Sequence, residues 1–387
     1  MTHPRSELGS GCEPILRRVI DTVEAGFQSL GQATARRMAQ QSARKGRLGR
    51  TLLVHGPAGA GKQAFVDDFL ALAFCTDADP ERGPCNVCRG CREARSRSHP
   101  DLVVGSPEAW REERSSGESI VAAARRWLLA AAGAPVAGER RMVLVEHADR
   151  ANEQTQNALL KTLEEPTDRH TFILVADEPS RLLPTIRSRS QPLRIGPVPR
   201  EELVAFLMDV ERLPADQAEA LAALSHGLSG TARAYAGDRS LIMWRRSVQT
   251  ELLTLLERGP ADRFAAVREL LDETIRLRPA PPSDVSGDEE ADAQRTPASA
   301  QREAAMLIVE AWLSLARDLI VAATERAALA PGTELGPDLE RLGTRIGTPP
   351  LVRTVRLLER IYDGLRENAA PKLSLETAML TWPHLDR

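Results

Sequence analysis

Residues 56–63 read GPAGAGKQ, the G-x-x-x-x-G-K spacing of a loop that wraps phosphate oxygens in backbone N–H groups. Gly56, Gly59 and Gly61 let the chain turn its amides inward, Lys62 adds a point charge, and a helix beginning there adds its dipole. Pro57, Ala58 and Ala60 fill the intervening positions. The motif's eighth residue is ordinarily Ser or Thr, whose hydroxyl holds the Mg²⁺ that bridges the terminal phosphates. Here it is Gln63, a neutral and longer ligand that seats the ion poorly. The expectation is a site for ATP or ADP with Mg²⁺ in which binding survives what hydrolysis does not. A loop kept for its shape alone is the other reading.

A second apolar run, Met142 to Val145, ends in Glu146 and His147. A hydrolase of this kind needs an acid there for the metal and a second acid to polarise water. Glu146 can reach a metal, but His147 lacks the permanent negative charge, unless it serves as a general base. Two independent parts of a hydrolytic centre are therefore altered together.

Four of the five cysteines lie at Cys75, Cys85, Cys88 and Cys91, spaced C-x9-C-x2-C-x2-C. Thiolates this close can close a tetrahedral zinc site that knots an otherwise irregular loop, and a four-sulfur site leaves no position open for catalysis. The competing readings are a core Cys75 with His99 as a substitute ligand, and a redox pair. Further on, LLPTIRSRSQP carries Arg187 and Arg189 behind a helix that Pro184 opens. Alone, such arginines read as solvated surface.

Buried strands must hold these groups. Leu52–Val54, Met142–Val145 and Phe172–Val175 are short, continuous apolar runs separated by helical stretches, which predicts a parallel sheet covered on both faces. Phe65, Phe69 and Leu72 give a helix after the glycine loop, and Asn152 or Thr155 caps another that Pro166 closes. A Pro- and Gly-punctuated link at 192–201 ends the strand signals, and the chain is helical from there on. Residues 278–299, rich in Pro, Ser and acid, read as a disordered insertion. The fold class expected is α/β followed by all-α, in three parts: 1–197 with a cysteine module at 75–91, 198–240, and 241–387.

The 387 residues are 42% hydrophobic and 27% charged with a net charge of −3, which argues against a polycation that coats nucleic acid. No apolar run approaches the ~18 residues that span a bilayer, and MTHPRSELGSGCEP has no apolar centre of a signal peptide. A cytoplasmic protein without a membrane partner is expected. No internal repeat is evident.

Together, NALLKTLEEP at 157–166, FILVADEPSRLLPTIRSRSQ at 172–191, LGQ at 30–32, the cysteine insertion and LRENAAPKLSLETAML near the end resemble the AAA+ clamp-loader subunits of bacterial DNA polymerase III. Within that family the chain is most similar to the delta-prime subunits. The resemblance is dense over residues 27–240 and thin beyond. It implies a RecA-like AAA+ domain with a zinc module, a helical lid and a helical collar that joins a pentamer with delta and gamma or tau. That complex opens the sliding clamp and places it on primed DNA, as part of a DNA polymerase holoenzyme. The family's Ser-Arg-Cys motif falls on Ser188, Arg189 and Ser190, which implies that Arg189 is an arginine finger reaching a neighbour's ATP. Ser190 in place of Cys is a departure. Gamma and tau end the loop in Lys-Thr and the second strand in Asp-Glu, against Lys-Gln and Glu-His here. Two rival readings remain open: a self-sufficient P-loop ATPase, and a zinc-containing nucleic-acid-binding protein with a vestigial AAA+ body.

Overall fold

The computed structural model describes residues 26–44, 50–79, 83–115, 117–164, 169–276, 297–324, 336–366 and 369–385. The chain divides into two compact units, Met1–Ala234 and Tyr235–Arg387.

The first unit is built on a five-stranded sheet: β1 (Thr51–His55), β2 (Leu102–Gly105), β3 (Arg141–Val145), β4 (His170–Ala176) and β5 (Gln191–Arg194). Their order is β2-β3-β4-β1-β5, and every pairing is parallel. Because side chains alternate along a strand, each apolar run feeds two cores. Leu52, Val54, Met142, Leu144, Ile173 and Val175 face one side, while Leu53, Val143, Val145, Phe172 and Leu174 face the other. The first side is covered by α1 (Ala33–Arg44) and α2 (Lys62–Phe74), through Ala35 and Ala39 and through Phe65, Val66, Phe69 and Leu70. Cys91 of the short α3 (Arg89–Arg95) joins that core. On the second side lie Trp110 of α4 (Pro107–Glu112), Leu128 of α5 (Ile120–Ala131), Leu159 and Leu163 of α6 (Glu153–Glu164) and Ile186 of α7 (Pro184–Arg189).

The three strands expected from sequence are present, and two more flank them. β2 joins one edge, and β5 forms the other, so the strand signals run on to Arg194 and the expected link at 192–201 begins inside a strand. Pro192 sits there opposite Leu53, on an edge strand where its missing N–H is tolerated. Asn152, not Thr155, caps α6: its Oδ1 accepts the N–H of Thr155 at 2.9 Å. Pro166 lies outside the described residues. The unit continues with α8 (Arg200–Asp209), α9 (Ala215–Leu224) and the start of α10 (Ser229–Gly237).

The second unit is helical throughout its described residues: α11 (Arg239–Thr254), α12 (Pro260–Arg276), α13 (Pro297–Ala322), α14 (Gly336–Ile346), α15 (Thr348–Arg366) and α16 (Pro371–Thr381). Its core gathers around Trp312, Leu319, Leu358, Leu365 and Met379. Arg263, buried on α12, donates to the carbonyls of Leu255, Arg258, Met379, Trp382 and Pro383, so that one guanidinium ties the segment after α11 to the end of α16. Of the expected disordered insertion at 278–299, residues 278–296 lie outside the described residues, and 297–299 are instead the first turn of α13.

Candidate functional site

β1 delivers the glycine loop to the carboxyl edge of the sheet, where α/β folds place their ligands. Gly59 and Gly61 have φ of 75° and 90°, in the left-handed region that a side chain disfavours. They are also short of space. A Cβ on Gly59 would stand 2.0 Å from Oγ1 of Thr231, and one on Gly61 2.5 Å from Oγ of Ser229. The start of α10 closes over the loop: the N–H groups of Gly230 and Thr231 donate to the Gly59 carbonyl, and the Ser229 hydroxyl donates to that of Ala60.

The lysine is engaged as well. Lys62 Nζ donates to the carbonyls of Gly56 and Pro57 at 2.7 and 2.8 Å and pairs with Asp177 Oδ1 at 2.7 Å, with only 9% of its side chain exposed. Asp177 follows β4, and Asp149 Oδ2 accepts its N–H and that of Glu178. Lys62 is thus turned to protein acceptors, and α10 meets Gly59 and Ala60 through their carbonyls, not through the N–H groups with which such a loop holds phosphate.

Gln63 donates from Nε2 to Glu146 Oε1 at 2.9 Å, so its amide is a partner of the carboxylate and not its co-ligand. The same Glu146 oxygen takes Arg97 Nη1 at 2.6 Å, while Arg97 Nη2 pairs with Asp67 Oδ1 of α2 at 2.9 Å. Burial raises the Glu146 carboxyl, but the Arg97 charge and the bonds from Gln63 and Arg97 outweigh it and hold the group below the usual carboxylate range. Asp67 shares Arg97 yet moves the other way, because burial dominates and Asp68 stands beside it. His147 sits in left-handed backbone with φ of 48°. Burial, then the charge of Arg150, lowers its pKa below the ordinary histidine value, so the ring is neutral near pH 7.

The four cysteines come together. Sγ of Cys75, Cys85, Cys88 and Cys91 all lie within 4.8 Å of one another, with Cys85 and Cys91 4.0 Å apart and Cys88 and Cys75 3.9 Å apart. Metal–sulfur bonds of ~2.3 Å in a tetrahedron put sulfurs ~3.8 Å apart, so the set fits one metal ion. Backbone N–H groups of Cys85, Cys88 and Cys91 point at Sγ of Cys75, Cys85 and Cys88 respectively, as a thiolate centre requires. Burial opposes ionisation of Cys88, yet the N–H groups of Cys91 and Thr76 bring its thiol down to about 6; burial and the neighbouring thiols push wholly buried Cys91 upward. His99 is not among the ligands. Its ring stacks on Phe74 with centroids 3.7 Å apart, and its Nδ1 accepts the Asp101 N–H.

Arg189 is exposed in the last turn of α7, where Nη1 donates to the Thr185 carbonyl. β5 starts two residues later and runs parallel to β1, with Gln191 level with Leu52. The glycine loop begins four residues beyond Leu52, roughly 13 Å further along the strand. Arg189 is thus placed toward the opposite end of the sheet from its own glycine loop. Ser190, buried, donates its hydroxyl to the Ile186 carbonyl.

Sequence reasoning singled out the loop, Glu146, the cysteines and Arg189 as candidates. It missed Arg97, Asp67, Asp177 and the Ser229–Thr231 cover. Only Asp177, an acid at the end of a predicted strand, carried a local signal.

Residues 31–199 match the family model described as DNA polymerase III, delta subunit. Among curated relatives, DNA polymerase III subunit delta' of Pseudomonas aeruginosa is 35% identical over 190 residues, 48% of this chain and 55% of that protein. DNA polymerase III subunit gamma/tau of Mycobacterium bovis is 32% identical over 177 residues, 45% of this chain and 29% of that protein. A gamma subunit-related protein of DNA polymerase III from Thermotoga maritima aligns with 89% of this chain and 96% of its own at 17% identity, with a TM-score of 0.37. The chain spans about half the length of the delta' relatives it matches. Within that span, residues 31–199 are similar to DNA polymerase III delta' subunits.

Proposed function

We propose that this chain acts as the delta-prime subunit of a DNA polymerase III clamp loader. In that complex, with delta and gamma or tau, it helps place the sliding clamp on primed DNA. Its α/β body (1–197) carries the zinc module, residues 198–240 act as lid, and residues 241–387 form a helical collar. Zinc is the metal that the four thiolates hold, and with four sulfur ligands it supplies structure and no open coordination position. The glycine loop does not turn over ATP. Arg189 reaches the nucleotide of an adjacent ATPase subunit, where a guanidinium neutralises charge on the transferring phosphoryl group.

The observation that carries this reading is the parallel register of β5 on β1, which sets Arg189 away from its own loop while leaving it exposed. The pairing of Lys62 with Asp177 and of Glu146 with Arg97 and Gln63 argues in the same direction, against a self-sufficient ATPase. The test is reconstitution with a gamma subunit, clamp and primed DNA. Arg189→Ala is expected to assemble normally and to lower the turnover that depends on this subunit by ~10³-fold or more. Unchanged turnover removes the finger assignment. Hydrolysis by the isolated chain at the rate of the complex removes the whole reading.

A further inference from the structure

Helix α2 carries two adjacent acids, Asp67 and Asp68, and each takes an arginine from the segment that follows the cysteines. Arg95 Nη2 pairs with Asp68 Oδ1 at 3.0 Å and also bonds Asn86 Oδ1 at 2.6 Å. Arg97 lies two residues past α3 in left-handed backbone, with φ of 56°, its N–H held by the Ala94 carbonyl. That turn points its fork across two elements, to Asp67 on α2 and to Glu146 at the end of β3. Gln63, in the position the motif reserves for a metal-binding hydroxyl, donates to the same Glu146 oxygen.

We propose that Arg97 is the resident cation of this site: its guanidinium bridges Asp67 and Glu146 beside Gln63 and so excludes a divalent metal ion from the mouth of the glycine loop. The inference deepens the reading of the loop as non-hydrolytic, and rests on it. Magnesium sites of this kind are made by one or two carboxylates together with phosphate oxygens, and the ion keeps several waters. Here one carboxylate from each element is present, and the planar fork of an arginine spans both. Gln63 fits that arrangement better than a hydroxyl would, because its amide N–H reaches the carboxylate already bound by Arg97. The arginine comes from the cysteine module, through α3, whose Cys91 is a metal ligand candidate in the core. The module thereby does more than close its own loop: it delivers the charge that fills the cation position. Arg97 is a positioning residue here and touches no reacting atom.

The experiment uses the full, zinc-loaded chain and Mn²⁺ as probe, with free Mn²⁺ read by electron paramagnetic resonance, so no turnover enters. Five proteins are compared: wild type, R97N, R97K, E146Q and R97N/E146Q. Asn tolerates left-handed backbone, so R97N removes the charge without forcing the turn to refold. R97N is expected to bind one Mn²⁺ at least ~10-fold more tightly than wild type, since affinity follows the uncompensated ligand charge. R97N/E146Q is expected to lose that gain, and R97K, which keeps the positive charge, to exclude the ion as wild type does. Equal Mn²⁺ affinity of folded R97N and wild type overturns the proposal. Wild type carries a test independent of whether R97N folds: Mn²⁺ bound by it and lost in E146Q also overturns it. Failure here leaves the clamp-loader reading standing, because that reading fails on turnover in the reconstituted complex and not on metal exclusion.

Discussion

The cysteine cluster and the glycine loop flank the same helix, α2, and they treat their functional groups in opposite ways. The four thiols point at one another at distances set for a metal, with backbone N–H groups aimed at three of the sulfurs. Around the loop, Lys62, Gln63 and Glu146 are committed to protein partners, and α10 lies on Gly59 and Ala60. One site is complete only when something binds. The other has its side chains paired already. A phosphate-loop motif therefore does not by itself report a hydrolytic site; what counts is whether the side chains that would meet the metal and the terminal phosphate are taken up by the chain.

The contrast is open to measurement, and the largest effect belongs to the metal. Elemental analysis is expected to find one zinc per chain, and chelation is expected to open residues 75–91 to limited proteolysis, since structural zinc contributes on the order of 10 kcal/mol to small metal-bound folds. A chain free of metal with unchanged cleavage would dissolve the distinction between the two sites. Next is Asp177→Asn, which leaves Lys62 charged and nearly buried with only carbonyl partners; urea denaturation is expected to show a loss of about 3 kcal/mol. A loss well under 1 kcal/mol would mean that the loop's lysine is not held as described.

Glu146→Gln sharpens the same point through pH. The folded carboxyl is depressed below its unfolded value of ~4.3, so its stabilisation is fully present above that pH and fades as pH falls through the lower folded value. Wild type is expected to exceed E146Q by about 1 kcal/mol at pH 7 and to converge with it in acid. A gap that widens in acid would contradict the Arg97 and Gln63 contacts. The smallest change is predicted for Gln63→Thr. Restoring the hydroxyl is expected to alter stability by under ~0.5 kcal/mol, and Mg²⁺ with ADP should not raise its melting temperature. A ligand at ~100 times its Kd would add about 2.7 kcal/mol, so a shift of that size would show the loop to be one substitution from function.

Much of this was legible in the sequence where the signal is local. β1, β3 and β4 announce themselves because central parallel strands are apolar on both faces. β5 does not: its QPLR contains one deeply buried residue, Leu193, as an edge strand with a proline can. The cysteine cluster was readable because spacing alone limits which sulfurs can meet. Arg97 was not, since its role needs a left-handed turn and a partner 49 residues away, neither of which leaves a periodic trace. The closing of α10 over the loop has the same character, joining Ser229 to Ala60 across 169 residues.

Arg263 in the helical unit has a consequence for how this chain can vary. Its acceptors are main-chain carbonyls, and a carbonyl is kept by every substitution at Met379 or Trp382 that leaves the backbone in place. That half of the anchor cannot be lost by changing a side chain. The other half is a single codon: lysine, with three donors on one nitrogen, cannot cover carbonyls spread over two chain segments as a fork of five N–H groups does. The tie is therefore one-sided: it survives side-chain changes at Met379 and Trp382, whose own cost is lost core packing, and it is lost with residue 263.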